Sequence, residues 1–202
     1  MLEARVKKSF ANFVLNADLK DEGIISITGP NGSGKSTFLN IIAGFIKQDD
    51  GRVIIAGRDV SFFPPEKRGV VLVTPDSYIP SLDVSKHLRF GAKLAGYRIG
   101  ETELSDIRKM FQITFDGKMR NLSLGQRERV SIVTALLSKP SLLLVDESFS
   151  NISDSKDFIK NLLEFIENYH RMDLIFTTQD LEMTKYAQHH YMMRDGSLLK
   201  RF

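Results

Sequence analysis

The sequence has no cysteine among its 202 residues, which excludes a disulfide framework, a thiolate metal site and thiol redox chemistry, and agrees with a reducing compartment. No apolar run approaches the ~20 residues needed to cross a bilayer, and the first residues lack the pattern of a signal peptide. Direct membrane insertion is therefore not expected; service to a membrane would pass through a partner. Lys and Arg are scattered without a long basic run, so a formal charge of +3 and an isoelectric point near 9.0 do not by themselves point to nucleic acid. Internal repeats, low-complexity tracts and heptad runs are also missing. What remains is ordinary for a soluble globular chain, 42% hydrophobic and 26% charged, and long enough for one domain with a sizeable core.

Within that ordinary composition one stretch stands out: Gly29-Pro30-Asn31-Gly32-Ser33-Gly34-Lys35-Ser36-Thr37, which fits the phosphate-loop pattern G-x-x-x-x-G-K-[ST]. A polyphosphate needs many donors converging from one side, and a tight glycine-rich turn supplies them as backbone N–H groups. The helix that follows adds its unpaired N–H groups and the positive end of its dipole, Lys35 supplies a point charge for the β- and γ-phosphates, and Ser36 is placed to ligand Mg²⁺. The flanks agree with the motif. Residues 23–28 read as a buried strand entering the loop, and residues 37–43 as an apolar helix leaving it, ending at Gly44.

Taken in order, residues 2–6 and 13–19 read as two strands, the second with alternating apolar positions. Asp49-Asp50-Gly51 reads as a turn before short strands at 52–55 and 59–62, and 69–73 as a further apolar strand. From 77 to 121 the pattern becomes helical, with segments at Val84–Leu94, capped by Asp83, and at about 102–111. A helix is expected from Leu122-Ser123-Leu124-Gly125-Gln126 to about Leu137, a buried strand at 142–145, and a helix at 155–170 with Phe158, Leu162, Phe165, Ile166 and Tyr169 on one stripe. A strand at 174–177 and a hairpin with an Asp195-Gly196 turn close the chain. The alternation implies an α/β fold with a largely parallel sheet and helices on both faces.

Four apolar residues followed by Asp146-Glu147 give the Walker B pattern, in which the aspartate serves Mg²⁺ and the following glutamate can polarise an attacking water. The stretch 122–126 would by itself be an ordinary helix start capped by Ser123. Beside the other two motifs it resembles the LSGGQ-type signature of the ATP-binding cassette, or ABC, ATPases.

That resemblance covers essentially the whole chain. It implies a RecA-like P-loop NTPase core at about 1–76 and 122–202, with N-terminal antiparallel strands and a small inserted helical subdomain at about 77–121. ATP and Mg²⁺ are the implied cofactors, with Ser36, Asp146 and the neighbouring Asp76 as metal-facing oxygens and residues 29–37 as the phosphate cradle. Phe10 is the implied adenine-stacking ring, with Phe13 as the second choice. Ser123, Gly125 and Gln126 would close the nucleotide bound by an opposite cassette, so the implied partners are a second ABC subunit, identical or paralogous, and an integral membrane transporter subunit. The place implied is the cytoplasm, peripheral to the inner face of the cell membrane, with no direct nucleic-acid contact.

The sequence departs from the family at three places. The Q-loop glutamine falls at Pro75, which has neither a side-chain amide nor an N–H, and the switch histidine falls at Gln179, an amide that can donate but not titrate. The D-loop, Ser150-Asn151-Ile152-Ser153, has its aspartate one residue late, at Asp154. The expectation is an ATP-binding subunit that powers a transporter, with Glu147 and Gln179 at the reaction and weakened hydrolysis at its own site. The other reading kept open is a soluble ABC ATPase acting on nucleic acid or in cofactor assembly. A GTPase or kinase is disfavoured by the lack of an N-K-x-D motif. No room is expected for a regulatory C-terminal extension, and His87, His170, His189 and His190 are expected at the surface.

Overall fold

The computed structural model describes residues 1–202, which divide into two compact units: residues 1–72, 141–146 and 172–202 in the first, and 73–140 with 147–171 in the second. The segment 77–121 lies in the second unit together with the helices at 124–137 and 155–168.

The first unit is organised by one ten-stranded sheet: β1 (Leu2–Phe10), β2 (Phe13–Asp21), β3 (Ile24–Thr28), β4 (Asp50–Ile55), β5 (Arg58–Asp59), β6 (Val70–Val73), β7 (Leu142–Asp146), β8 (Asp173–Thr178), β9 (His189–Arg194) and β10 (Ser197–Lys200), in the order β5-β4-β1-β2-β10-β9-β3-β8-β7-β6. The strands β9, β3, β8 and β7 are mutually parallel, while β5, β4, β1 and β2 form an antiparallel half, the N-terminal antiparallel strands expected beside the parallel core. Every residue of β3 and β7 is buried, as strands covered on both faces require, whereas β1 alternates, hiding Leu2, Ala4 and Val6. Helix α1 (Lys35–Ala43) adds Phe38, Leu39, Ile41 and Ile42 to the same core as Leu15, Ile25, Ile27 and Ile175. It begins two residues earlier than its apolar pattern suggested, because Gly34 at φ 111° turns the chain directly into the first helical residue.

Two local expectations fail here. Asp50 and Gly51 are part of β4, not a turn: Val6 pairs with Gly51, and a Cβ on that glycine would stand 2.0 Å from the Arg5 carbonyl oxygen. The glycine answers a close approach of two backbones, a long-range cause that a short Asp-Gly signal imitates. The neighbouring strand stops at Asp59, since the Ser61 hydroxyl accepts from the Val53 N–H at 2.9 Å and donates to the Asp59 carboxylate at 2.6 Å, replacing ladder bonds with side-chain ones. The closing hairpin forms as expected, with Asp195 and Gly196 both at positive φ.

The second unit is helical: α2 (Val84–Leu94), α3 (Glu101–Met110), α4 (Leu124–Leu137) and α5 (Ser155–Asn168). Asp83 caps α2 by accepting from the Lys86 N–H at 2.8 Å. Phe111 and Phe158 pack at 5.7 Å between centroids, with Phe149 beside Phe158, so rings from outside α5 cover the Phe158 position of its stripe. Tyr169, expected on that stripe, lies beyond the end of the helix and is 70% exposed, its ring stacked on Phe165.

The expectation of surface histidines also fails for His87 and His190, which are buried. In His87 the Nε2 accepts from the Ile79 N–H at 3.1 Å, which leaves the ring proton on Nδ1 to donate to Thr134 Oγ1 at 2.8 Å. A second proton would break the first bond, and burial lowers this imidazole from its ordinary 6.5 to about 4. Between those values the unfolded chain binds a proton that the folded chain refuses. This contribution to stability is therefore complete above about pH 6.5, declines as pH falls, and levels off below about pH 4. Denaturant unfolding across that range should show a steeper acid loss for the native chain than for His87→Asn.

Candidate functional site: a phosphate loop and a signature helix

In the first unit the parallel registers bring chemistry to one end of the sheet. Thr28 pairs with Thr178, and Asp146 with Thr177, so the C-terminal ends of β3, β8 and β7 lie side by side, the place where open parallel sheets bind ligands. From β3 the chain enters the loop at 29–34. A Cβ on Gly29 would stand 2.2 Å from the Met193 carbonyl oxygen, and one on Gly34 would stand 2.8 Å from Phe13 Cζ, so neither position admits a side chain. Lys35 is only 4% exposed, and its ammonium donates to the carbonyls of Gly29 at 2.9 Å and Pro30 at 3.2 Å. The Ser33 hydroxyl is buried without a hydrogen-bond partner in the protein, an orphan that a ligand oxygen would satisfy. Asn31, Gly32 and Ser36 are exposed, Thr37 is half-buried, and the first turn of α1 carries no acidic residue to repel an anion.

Asp146, at the end of β7, accepts a hydrogen bond from the Thr177 hydroxyl at 2.6 Å, which orients its carboxylate. Thr177 is a site residue that sequence reasoning passed over, because only the β7–β8 register identifies it. The Ser36 hydroxyl and the Asp146 carboxylate are the hard oxygen donors that Mg²⁺ prefers. No cluster of three or more His, Cys, Asp or Glu side chains could hold a metal unaided, so phosphate oxygens would have to complete the shell. Gln179 follows β8 directly, and its Nε2 donates to Asn31 Oδ1 at 2.8 Å. Phe10 is 43% exposed beside Phe13, at 6.1 Å between centroids, with Lys8 Nζ 6.0 Å from its ring. Phe13 is the less exposed of the two and touches the loop, which leaves Phe10 as the ring with a free face.

In the second unit the signature stretch forms a reciprocal cap. The Ser123 hydroxyl accepts from the Gln126 N–H at 3.3 Å, and the Gln126 side chain accepts from the Ser123 N–H at 3.0 Å. Ser123 is nevertheless exposed, and a surface cavity of about 470 Å³ is lined by Ser123, Gly125, Gln126, Arg129, Asn151 and Asp154. Three ties join this helix start to the D-loop. A Cβ on Gly125 would meet the Asn151 carbonyl oxygen at 2.2 Å, the Asn151 amide donates to Glu128 Oε1 at 3.0 Å, and Arg129 pairs with Asp154. The late aspartate of the D-loop is thus explained: its carboxylate serves Arg129 and does not cap α5. Glu128 is buried, its Oε2 has no partner, and burial raises its carboxyl above the ordinary range. Neither Glu128 nor Arg129 drew attention in the sequence, since two charges inside a helix usually read as a solvated face.

Gly125→Ala would drive a methyl group into backbone. We expect a net loss of ~1–3 kcal/mol, outweighing the up to ~1 kcal/mol by which alanine favours helix, with thermal unfolding roughly 2–12 °C lower.

Glu147 follows Asp146 in the chain at φ 54°, a strained region for a side-chain-bearing residue and one that clusters at functional sites; the Ser150 hydroxyl donates to its carbonyl at 2.9 Å. Pro75 and Asp76 are the exposed corners of a closed turn in which the Thr74 N–H donates to the Ser77 hydroxyl at 2.9 Å and the Ser77 N–H returns to the Thr74 carbonyl at 3.0 Å. Proline at the first corner suits that turn.

A glycine loop leading into a helix, a buried lysine on the loop and a strand-end aspartate define a P-loop nucleotide-binding protein. The family profile described as "ABC transporter" matches residues 14–150. The chain belongs to the ABC transporter family, as an ATP-binding cassette of its ATPase class. It is 31% identical over 206 residues to the molybdate/tungstate import ATP-binding protein WtpC of Archaeoglobus fulgidus, covering 99% of this chain and 86% of that protein. Against WtpC of Pyrococcus abyssi it is 40% identical over 157 residues, 73% of this chain and 45% of the relative. The maltose/maltodextrin import ATP-binding protein MalK of Yersinia pestis is 32% identical over 186 residues, 87% of this chain and 50% of the relative. The chain thus spans most of the Archaeoglobus protein and about half the length of the other two. In fold it resembles the dimeric ATP-binding cassette MJ0796 in a post-hydrolysis state bound to ADP and Pi, with a TM-score of 0.83 at 23% identity over 100% of this chain and 98% of that one.

Proposed function

We propose that this chain is the ATP-driven subunit of a membrane importer, working as one of two cassettes that close on MgATP. The observation that carries this reading is the convergence, at one end of the parallel strands, of the Lys35 loop, the Thr177-oriented Asp146 and Gln179. Lys35 and the loop N–H groups would bind the β- and γ-phosphates, Phe10 would stack on adenine, and Ser36 and Asp146 would hold Mg²⁺. Bound there, the cation would neutralise charge on the phosphates. Asp76 is a further candidate oxygen. Glu147 would polarise the attacking water, while Ser123, Gly125 and the helix start behind them would complete the nucleotide site of the opposite cassette. ATP would favour the closed pair and hydrolysis the open one, a population shift set by differential affinity. The helical segment 77–121 would pass the motion to an integral membrane subunit.

Import is favoured by the relatives, each named as an import ATP-binding protein. No helix is long and apolar enough to cross a membrane; attachment at the cytoplasmic face would come through the membrane partner of the proposed importer. Pro75 and Gln179 favour tight binding with slow hydrolysis, because neither supplies the groups found at those positions in the family. Purification of the tagged chain from detergent-solubilised membranes of its own cell should retain an integral membrane protein. Recovery with ribosomes or DNA instead would replace this reading with that of a soluble ABC ATPase. Single-turnover hydrolysis by Gln179→His should exceed that of the native chain, and an unchanged rate would remove Gln179 as the limiting defect.

A further inference from the structure

The second unit holds a cavity of about 550 Å³ at the end of α4 opposite the Ser123 cap, and no residue of the nucleotide motifs lines it. Its floor is apolar: Ile107, Leu136 and Leu137 are buried beneath it. Its walls are aromatic rings held in place. The Tyr97 hydroxyl donates to the Leu137 carbonyl at 3.1 Å, and Phe165 packs on both Phe111 at 5.8 Å and Tyr169 at 4.8 Å between centroids. A void of this size, with fixed rings and few polar groups, has the character of a small-molecule site and not of a flat docking face. The rim sets the charge of the occupant. Glu103 and Asp106 stand one turn apart on α3, both exposed, and neither carboxylate has a hydrogen bond or ion pair within the chain. Glu103, in the first turn, also faces the positive end of the helix dipole; Asp106 is mid-helix, where aspartate is a poor helix former and has no bond to keep it. The cationic side chains of the rim are already placed, Lys139 Nζ 4.1 Å from the centre of the Tyr97 ring and His170 Nε2 3.3 Å from the Pro140 carbonyl oxygen. Burial, and after it the charge of Glu103, raises the Tyr97 phenol above its ordinary pKa, so the negative field of the rim reaches the wall.

We propose that this cavity binds an aromatic organic cation, its rings over Leu136 and Leu137 beside Phe165 and Tyr169 and its cationic nitrogen between Glu103 and Asp106. Aromatic faces attract a cation through their quadrupoles as well as through buried area. The two carboxylates attract the same charge and repel an anion of the same shape. The site stands apart from the nucleotide loop and from the importer reading, and its test depends on neither.

The test is fluorescence titration of the full chain with 9-aminoacridine, a three-ring cation, and with anthracene-9-carboxylate, nearly the same rings with the opposite charge. The cation should bind about 10-fold more tightly than the carboxylate. Glu103→Gln and Asp106→Asn should each weaken the cation about 2- to 5-fold, and together they should close most of the gap between the two probes. Tyr169→Ala should weaken both probes alike, by about 3-fold or more. All three residues are exposed, so circular dichroism should show an unchanged fold. Equal binding of the two probes, indifference to the loss of both carboxylates, or an unchanged affinity in Tyr169→Ala would overturn the proposal. So would a chain that binds neither probe; if that chain also self-associates and Tyr169→Ala renders it monomeric, the cavity belongs to a second copy.

Discussion

Lys35→Ala is expected to lower MgATP affinity about 10²-fold while leaving the folded content unchanged. Lys35 is 4% exposed and its ammonium is already directed at the loop by two carbonyls, so its side chain is ordered before a phosphate arrives. A hydrogen bond to a charged group contributes ~1.5–3 kcal/mol, and the loss of even one such bond from a buried site corresponds to roughly 10- to 150-fold. Arginine should not rescue it, because a planar guanidinium does not reproduce the compact point charge that two loop carbonyls hold here. Calorimetric titration with MgATP measures the change and circular dichroism the fold. An affinity within threefold of native would show that the ammonium is not a phosphate ligand.

The largest effect on stability is expected from Arg68→Met, a loss of ~3–5 kcal/mol with thermal unfolding about 6–20 °C lower. Arg68 is 5% exposed and donates to four carbonyls: Phe63 at 2.8 Å, Ser61 at 3.0 Å, Ile41 at 2.9 Å and Ile42 at 3.0 Å. The last two are at the C-terminal end of α1, so the guanidinium both satisfies helix carbonyls and faces the negative end of the helix dipole. A Cβ on Gly44 would stand 2.4 Å from Arg68 Nε, which shows how closely the chain folds over it. Methionine fills much of the space but removes all four bonds, although Ile41 keeps the Gly44 N–H and Ser61 keeps the Gln48 amide as donors to their carbonyls. Relief of the buried cation, whose pKa burial lowers, offsets only part of this. Arg68→Lys should recover part of the loss, since one ammonium cannot span four separated carbonyls. Unfolding within 2 °C of native for Arg68→Met would remove the guanidinium from this role.

How much was legible follows the range of the cause. The strand, loop and helix around Gly29-to-Thr37 were readable because their determinants lie within a few residues: glycines where side chains would collide, a lysine on the loop, and an apolar helix behind it. Asp83 as a helix cap and the Asp195-Gly196 hairpin were readable for the same reason. Gly51 was misread because an Asp-Gly pair signals a turn locally, while the actual cause is the Arg5 backbone on another strand. His87 was misread because its burial depends on Ile79 and Thr134, which only packing brings to it.

The site divides along the same line. The sequence by itself determined the chemistry available: a phosphate loop, a carboxylate pair at a strand end, a signature-like helix start, and the substitutions Pro75 and Gln179. Only the tertiary structure decided how those groups are engaged. It set Thr177 against Asp146 by strand register, folded Gln126 back onto Ser123, fastened the D-loop to Glu128 and Arg129, and joined Gln179 to Asn31 across 148 residues. The physical reason is that backbone conformation is set mostly by neighbours in the chain, with exceptions such as Gly51, whereas the acceptor a side chain finds is fixed by which strands and helices pack beside it.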